Sequence, residues 1–298
     1  MRRTALAIVV VLTAVFAASA SASQLIDRNA SGVKLAVNAK GEAMLTYTSA
    51  GKVKHVLAWG AVNAIAPTQA RAQVAFKLDY SGGYGKYRSD YWKTFGKACG
   101  AYSGPNLNWL VRGVRPCTAP DGSSWAVQAW QRALPNYGVA PTAVQAVWEL
   151  RLSHWTGQIG SLSIETDWAW HQWDHLFGTF LYGGSPVHGF RSTPGGQPLD
   201  SFGRNVYVDT LDSAYGHGWK RENSFLAHNP SGVFCYSVNP HGSHPAGKGT
   251  RYRATVIGPG VTPDVTWEGA SPGPYDKSVD LIANDDIAQL GDTLCRAN

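Results

Sequence analysis

Several things are scarce in this chain, and each absence narrows the possibilities. After the N-terminal region there is no apolar stretch of the roughly 20 residues that a membrane-spanning helix requires. No run of Lys or Arg forms the concentrated basic stripe that a nucleic-acid binder uses against phosphates, so that class of partner is excluded. There are only 4 cysteines, and no two have the Cys-x-x-Cys spacing of a zinc or redox site. No internal repeat and no low-complexity linker divides the chain, which argues against a solenoid or a string of modules.

The N-terminus is rich in a different signal. Met1-Arg2-Arg3 is a short cationic start, an apolar run from Ala5 to Ala18 follows, and Ala20-Ser21-Ala22 ends it with a small-x-small pattern. This reads as a secretory leader over residues 1–22, cleaved after Ala22, with a secreted chain of residues 23–298 as product. Losing Arg2 and Arg3 takes Lys+Arg from 26 to 24 against 20 Asp+Glu, so the net charge falls from +6 to +4. That modest excess supports mild attraction to an anionic surface such as a cell wall. In an exported chain, Cys99, Cys117, Cys235 and Cys295 are expected to pair. Three connectivities are possible. Cys99–Cys117 and Cys235–Cys295 are favoured because the first closes a short loop and the second ties down the C-terminus.

Period-two alternation recurs along the chain and points to strands. Val33, Leu35 and Val37 share one face, Lys40-Gly41 turns, Leu45 and Tyr47 alternate with Thr46 and Thr48, and Gly51 turns again. Val53, His55, Leu57 and Trp59 then form a third strand, with His55 expected as a hydrogen-bonded core histidine. The result is a β-meander within residues 23–70, packed on the rest of one extracellular domain. A further strand is expected over 74–80. Val144, Ala146, Trp148, Leu150 and Leu152 share a face, as do Leu162, Ile164, Trp168 and Trp170, and a short loop at Thr156-Gly157 suggests one antiparallel hairpin. More strands are expected at 176–182, 205–211, 233–238 and 251–257. Helical spacing is found only around Tyr91, Trp92, Phe95 and Cys99, and in a C-terminal stretch with Val279, Ile282, Ile287, Leu290 and Leu294, where Asp276 or Ser278 would cap. Many strands, long Gly/Pro loops and a short C-terminal helix make the expected fold a mostly β, antiparallel sandwich or jelly roll.

Few motifs carry chemistry. Gly269-Ala270-Ser271-Pro272-Gly273 matches the Gly-x-Ser-x-Gly elbow in spelling, but Pro272 lacks the N–H that this position donates to an oxyanion, so it reads as a loop. Ser81-Gly82-Gly83-Tyr84-Gly85-Lys86 is glycine-rich without the spacing of a phosphate loop. His171 and His175 flank an aromatic segment and form a candidate pair for a divalent metal, with Asp167 or Asp174 assisting. His241 and His244 lie in a Pro/Gly loop, where they could chelate, but exposed loop histidines are common. No other cofactor is implied.

Two carboxylates in the expected hairpin suggest an enzyme. If residue numbers of paired positions sum to about 316, Glu149 faces Asp167 and Arg151 faces Glu165. Such a pair could act on a glycosidic bond, with the arginine holding one group ionised. The commoner role of such a face is a salt-bridge lattice. Aromatics offer another reading. Trp148, Trp168 and Trp170 fall on apolar faces and read as core, whereas Trp155, Trp173, Tyr215 and Trp219 fall in expected loops, where flat rings beside polar groups stack on sugars. The leading expectation is therefore a secreted, non-enzymatic β protein that binds carbohydrate or cell-wall polymer through loop aromatics. The rivals are a polysaccharide hydrolase or lyase using Glu149 and Asp167 or a metal at His171 and His175, and a structural envelope protein.

Overall fold

Alternating sequences become strands, and strands make up most of the structure. The computed structural model describes residues 23–65, 74–96, 99–104, 107, 116–131, 143, 146–157, 159–170, 173–182, 185–186, 191–192, 198–199, 205–213, 215–223, 227–228, 233–238, 249–257 and 260–289. The first strands are β1 (Gln24–Arg28), β2 (Ser31–Val37), β3 (Glu42–Ser49), β4 (Lys52–Trp59) and β5 (Lys77–Asp79). A single helical turn, α1 (Tyr84–Tyr87), and a 3-10 turn (Tyr91–Thr94) follow. Next come β6 (Gly100–Ala101), β7 (Cys117–Thr118), β8 (Ser124–Trp130), β9 (Glu149–Trp155), β10 (Ser161–Ala169) and β11 (Trp173–Tyr182). Short strands β12 (Ser185–Pro186), β13 (Arg191–Ser192) and β14 (Pro198–Leu199) lead to β15 (Asn205–Ser213) and β16 (Gly216–Asn223). The chain closes with β17 (Ala227–His228), β18 (Val233–Val238), β19 (Arg251–Ile257), β20 (Val265–Ala270) and the helix α2 (Lys277–Gln289).

These strands form four antiparallel sheets, ordered β2-β3-β4-β5, β1-β9-β8-β7-β6, β10-β11-β18-β17 and β13-β14-β15-β19-β20, with β12 added to β11 and β16 to β15. The meander forms as the alternation implies: Leu45 pairs with Leu35 on one side and Val56 on the other. Its turns use Gly41 and Gly51, both at positive φ. Strands β18 and β19 occupy the expected spans, and α2 begins where expected, with the Asp276 carboxylate accepting the Ser278 N–H at 2.8 Å.

Two apolar clusters organise the molecule. In the first, Val37, Leu45, Tyr47, Val56 and Ala58 of the meander meet Trp125, Val127, Leu150 and Leu152 of β8 and β9. In the second, Ile164, Leu176 and Phe180 of β10 and β11 meet Val208, Tyr252, Ala254 and Val256 of β15 and β19. Burial of these side chains is the main favourable term, at about 1.5–3 kcal/mol for each large one.

Several expectations are corrected. The 149–155 and 161–169 strands do not form a hairpin: β9 pairs with β1 and β8, whereas β10 pairs with β11. The strand expected from residue 144 starts at Glu149, and Trp148, read as core, is 47% exposed. The stripe Val53, His55, Leu57 and Trp59 is the outer face of β4, because the shared core receives Val56 and Ala58 instead. In α2, Ile287 is buried but Ile282 is 62% exposed. Cys99 and Cys117 form a disulfide; the partner pair Cys235–Cys295 cannot be followed because Cys295 lies outside the described residues. Residues 1–22, read as the leader, lie outside them as well. No helix among the described residues is long and apolar enough to cross a membrane.

Candidate ligand-binding surface

The outer face of the meander carries Glu42, Thr46, His55, Leu57 and Trp59, joined at its edge by Lys77 and Asp79. Residues 80–95 fold over this face. This segment holds six aromatic rings, Tyr80, Tyr84, Tyr87, Tyr91, Trp92 and Phe95, and the cations Lys86, Arg88 and Lys93.

The glycine-rich turn wraps a carboxylate of its own chain. Asp79 Oδ1 accepts the Ser81 N–H at 2.9 Å, Asp79 Oδ2 accepts the Lys86 N–H at 3.1 Å, and Ser81 Oγ accepts the Gly85 N–H at 2.9 Å. Burial raises the Asp79 pKa, but these hydrogen bonds outweigh it and hold the carboxyl below its ordinary value. The amides that a phosphate loop would offer to a ligand are thus spent on Asp79. Gly82 has to be glycine. Its φ is +68°, and a Cβ there would lie 2.8 Å from Trp92 Cδ1 and 2.9 Å from His55 Cβ. That close approach lets Trp92 stack on His55 with ring centroids 4.0 Å apart and planes within 8°. His55 Nδ1 in turn bonds Thr46 Oγ1 at 2.9 Å, so the expected hydrogen-bonded histidine is present, half-buried beneath a ring.

Glu42 props the other end of the segment. Its side chain, 3% exposed, takes Lys86 Nζ at 2.5 Å, Asn38 Nδ2 at 2.8 Å and Tyr91 Oη at 3.1 Å, and also the Tyr87 hydroxyl. Burial alone would raise its pKa. The hydrogen bonds from Lys86, Tyr87 and Asn38 and the Lys86 charge overcome this and bring it down to about 2. Glu42 is therefore an ionised anchor at neutral pH and not a proton donor. The Lys86 ammonium sits 4.3 Å over the Trp59 ring, within cation–π range. Tyr87 packs tilted against Tyr91 at 4.1 Å, and Tyr91 meets Phe95 edge-on at 5.6 Å. On this framework Tyr84 leaves its ring 52% exposed, and Tyr80, tied by its hydroxyl to the Ile26 carbonyl at 3.0 Å, is 56% exposed.

The aromatics singled out from the sequence fare differently. Trp155 lies in β9, not in a loop, is 2% exposed and packs edge-on against Tyr102. Trp219 lies in β16, half-buried, with the Arg253 guanidinium 4.2 Å over its ring. Arg253 and Arg221 both bind Asp209, at 2.7 and 2.8 Å, in an internal ion cluster that fixes β15, β16 and β19 together. Tyr215 is a half-buried turn residue between β15 and β16. Trp173 opens β11 and pairs with Ala169, and its side chain lies outside the described residues.

The carboxylates are separated. Glu149 is held by Arg151 Nη2 at 2.6 Å and Nε at 3.0 Å, with Arg28 at 3.6 Å, in the sheet of β1 and β9. Asp167 is in β10 opposite His175, and Glu165 is opposite Phe177, so neither faces Glu149 or Arg151 across a strand pair. Asp167 is raised by burial and by the charges of Glu165, Asp280 and Asp286. For the metal pair, His171 lies outside the described residues, and His175 is buried in β11 between Trp170 and Phe177. Among the described residues no group of three or more His, Cys, Asp or Glu is placed to hold a metal ion. His241 and His244 also lie outside the described residues. The Ser271 segment follows the end of β20 as a loop, as expected.

The aromatic segment shows in the sequence as two separate signals, a glycine-rich run at 81–86 and a helical spacing around Tyr91, Trp92 and Phe95, and not as one surface. Its density of rings beside glycines was the available signal, but which rings stay exposed depends on the meander beneath them. No family model matches this chain, and neither a curated protein nor a solved structure matches it.

Proposed function

We propose that this is a secreted, non-enzymatic protein that binds carbohydrate or cell-wall polymer through the aromatic face of residues 80–95. The observation that carries this reading is the half-exposed ring of Tyr84, presented on a turn locked from below by Asp79 and Glu42. A flat ring with one free face and polar neighbours suits stacking on a sugar ring, and a locked turn loses little entropy when it binds. Lys86 and Lys93 are paired with Glu42 and Asp90, so charge adds little to this face and the rings carry the reading. The surface adds stacking, with no carboxyl poised to transfer a proton.

The test mixes residues 23–298 with insoluble polysaccharides and cell walls, and measures both protein lost from the supernatant and sugar released. The expected result is depletion without release. Tyr84→Ala is expected to weaken depletion about tenfold, the worth of one well-placed stacking contact. Its thermal midpoint should stay unchanged, because the ring is half in solvent. Absence of depletion by the unaltered protein, or equal depletion by Tyr84→Ala, would overturn this reading. Release of soluble sugar would replace it with an enzyme.

A further inference from the structure

Ser23 is fully buried. Its hydroxyl donates to Asp264 Oδ2 at 2.8 Å, and its carbonyl accepts Arg151 Nη1 at 2.7 Å. Asp264, 1% exposed, lies in the connector between β19 and β20. The same Oδ2 accepts Trp130 Nε1 at 3.1 Å. The Asp264 backbone is clamped by the Gln128 amide, its N–H donating to Oε1 at 2.9 Å and its carbonyl accepting Nε2 at 3.1 Å. Three elements distant in sequence, β8, β9 and the β19–β20 connector, thus build one polar seat around one residue. A residue whose only role was to continue a peptide would not need its hydroxyl and its carbonyl both gripped by buried groups.

Ser23 is also the residue that follows the Ala20-Ser21-Ala22 cleavage pattern. Its α-nitrogen and Oγ are joined through Cα and Cβ, so they are at most about 3.8 Å apart. The nitrogen therefore lies within roughly 6.6 Å of Asp264 Oδ2, given the 2.8 Å hydrogen bond. We propose that removal of the leader after Ala22 makes Ser23 a charged N-terminus whose ammonium pairs with the buried carboxylate of Asp264, so that processing completes the fold. The step is hydrolysis by a leader peptidase. Water adds across the Ala22–Ser23 peptide bond, Ala22 leaves with the new carboxylate, and the Ser23 amine takes up a proton. Before the cut this nitrogen is a neutral amide; after it, a positive charge stands beside a carboxylate that water does not reach, where Coulomb attraction is strong. Among the described residues, the seat also holds Arg151, which grips the Ser23 carbonyl, and Glu149, which holds Arg151. A chain that keeps its leader would fold less stably, which ties full stability to export.

The experiment compares two forms of the protein, one starting at Ser23 with a free amine and one retaining Ala20-Ser21-Ala22, each with Asp264 and with Asp264→Asn. Retention should lower the thermal midpoint by several degrees in the Asp264 pair and leave the Asp264→Asn pair nearly level. An equal drop in both pairs overturns the proposal. If Asp264→Asn does not fold, the Ser23 amine is labelled with nitrogen-15 and titrated in the unaltered protein. A pKa above the ordinary 7.7–8.0 of an α-amine supports the ion pair, and one at or below that range overturns it. The sign follows from linkage: an ammonium stabilised in the fold contributes fully below its unfolded pKa and is lost as pH rises through the folded one. N-terminal sequencing of the exported protein should begin at Ser23, and any other start overturns the proposal.

Discussion

His175 is 1% exposed, and its Nε2 has no hydrogen-bond partner among the described residues. Burial lowers its pKa to about 4. The consequence for stability has a definite sign. Above the ordinary histidine value near 6.5 both folded and unfolded chains are neutral at this position; below it the unfolded chain takes up a proton that the fold refuses until about pH 4. Stability is present above pH 6.5 and falls across that window, by about 3 kcal/mol for a shift of this size. His154, also lowered by burial in spite of its bond to the Ala61 carbonyl and the nearby charge of Asp121, adds to the loss. His175→Phe is expected to shrink the drop in denaturation midpoint between pH 6.5 and 4, and an unchanged pH profile would contradict this. Glu42 acts in a lower window. Its pKa falls from 4.5 to about 2, so the stability it confers holds above pH 4.5 and disappears toward pH 2. Glu42→Gln gives up the charge-assisted bond from Lys86 and weakens those from Asn38, Tyr87 and Tyr91 to a nearly buried side chain, and should cost about 1–3 kcal/mol at neutral pH. It should also weaken polymer depletion, since the Tyr84 turn loses its prop. Equal stability of Glu42→Gln and the unaltered protein would refute that role. None of this was legible in the sequence, where Glu42 is one acidic residue after a turn and His175 one half of a supposed metal pair. Their burial is a property of what packs on them.

The strands were legible in proportion to how one-sided their surroundings are. The meander read well because Val33 and Val37 of β2 are buried, Leu45 and Tyr47 of β3 are buried with Thr46 and Thr48 half-buried, and the chain turns at Gly41 and Gly51. β4 misled by one residue because both of its faces are covered: Val56 and Ala58 enter the shared core, while Leu57, no less buried, lies under the aromatic segment. β9 misled more. Arg151 and Ser153 alternate with Leu150 and Leu152, so the former look solvent-facing, yet all four are buried, with Arg151 satisfied by Glu149 and the Ser23 carbonyl. Alternation reports that a strand exists and says nothing of its partner, so adjacent strands β9 and β10 were joined in one hairpin when each pairs elsewhere. The disulfide was legible because Cys99 and Cys117 are only 18 residues apart, so their pairing closes a short loop. It staples β7 to the segment that leads out of the aromatic face. Replacing both cysteines by serine should cost about 3 kcal/mol, the chain-entropy value for a loop near this length. Urea denaturation under identical buffer conditions measures this, and a loss under 1 kcal/mol would show that the loop is constrained by other contacts.

Across the described residues the two large apolar clusters are tied by the connector between β19 and β20. Between β19 and β20, Val261 accepts the His154 N–H at 2.7 Å and donates to the Asn63 carbonyl at 3.3 Å, while Asn63 donates to the His154 carbonyl at 3.0 Å. Val261 itself is buried in the first cluster, and two residues on Asp264 is locked to Gln128. A chain segment from the second sheet system is thereby built into the edge of the first. Gly260 makes this docking possible. Its φ is +82°, and a Cβ there would stand 2.7 Å from Ala64 Cα, a backbone atom that cannot move aside without displacing the strand-edge hydrogen bonds. The docking predicts cooperative unfolding: tryptophans sit in both halves, Trp125 in the first and Trp168 in the second, and their fluorescence should change in one transition coincident with the loss of far-UV strand signal. Gly260→Ala adds positive-φ strain and a backbone clash, for a combined cost of about 2–4 kcal/mol, and should split or broaden that transition by undocking the connector. A single sharp transition in Gly260→Ala with an unchanged midpoint would show that the connector bears no load, and two well-separated transitions in the unaltered protein would show that the halves were never coupled through it.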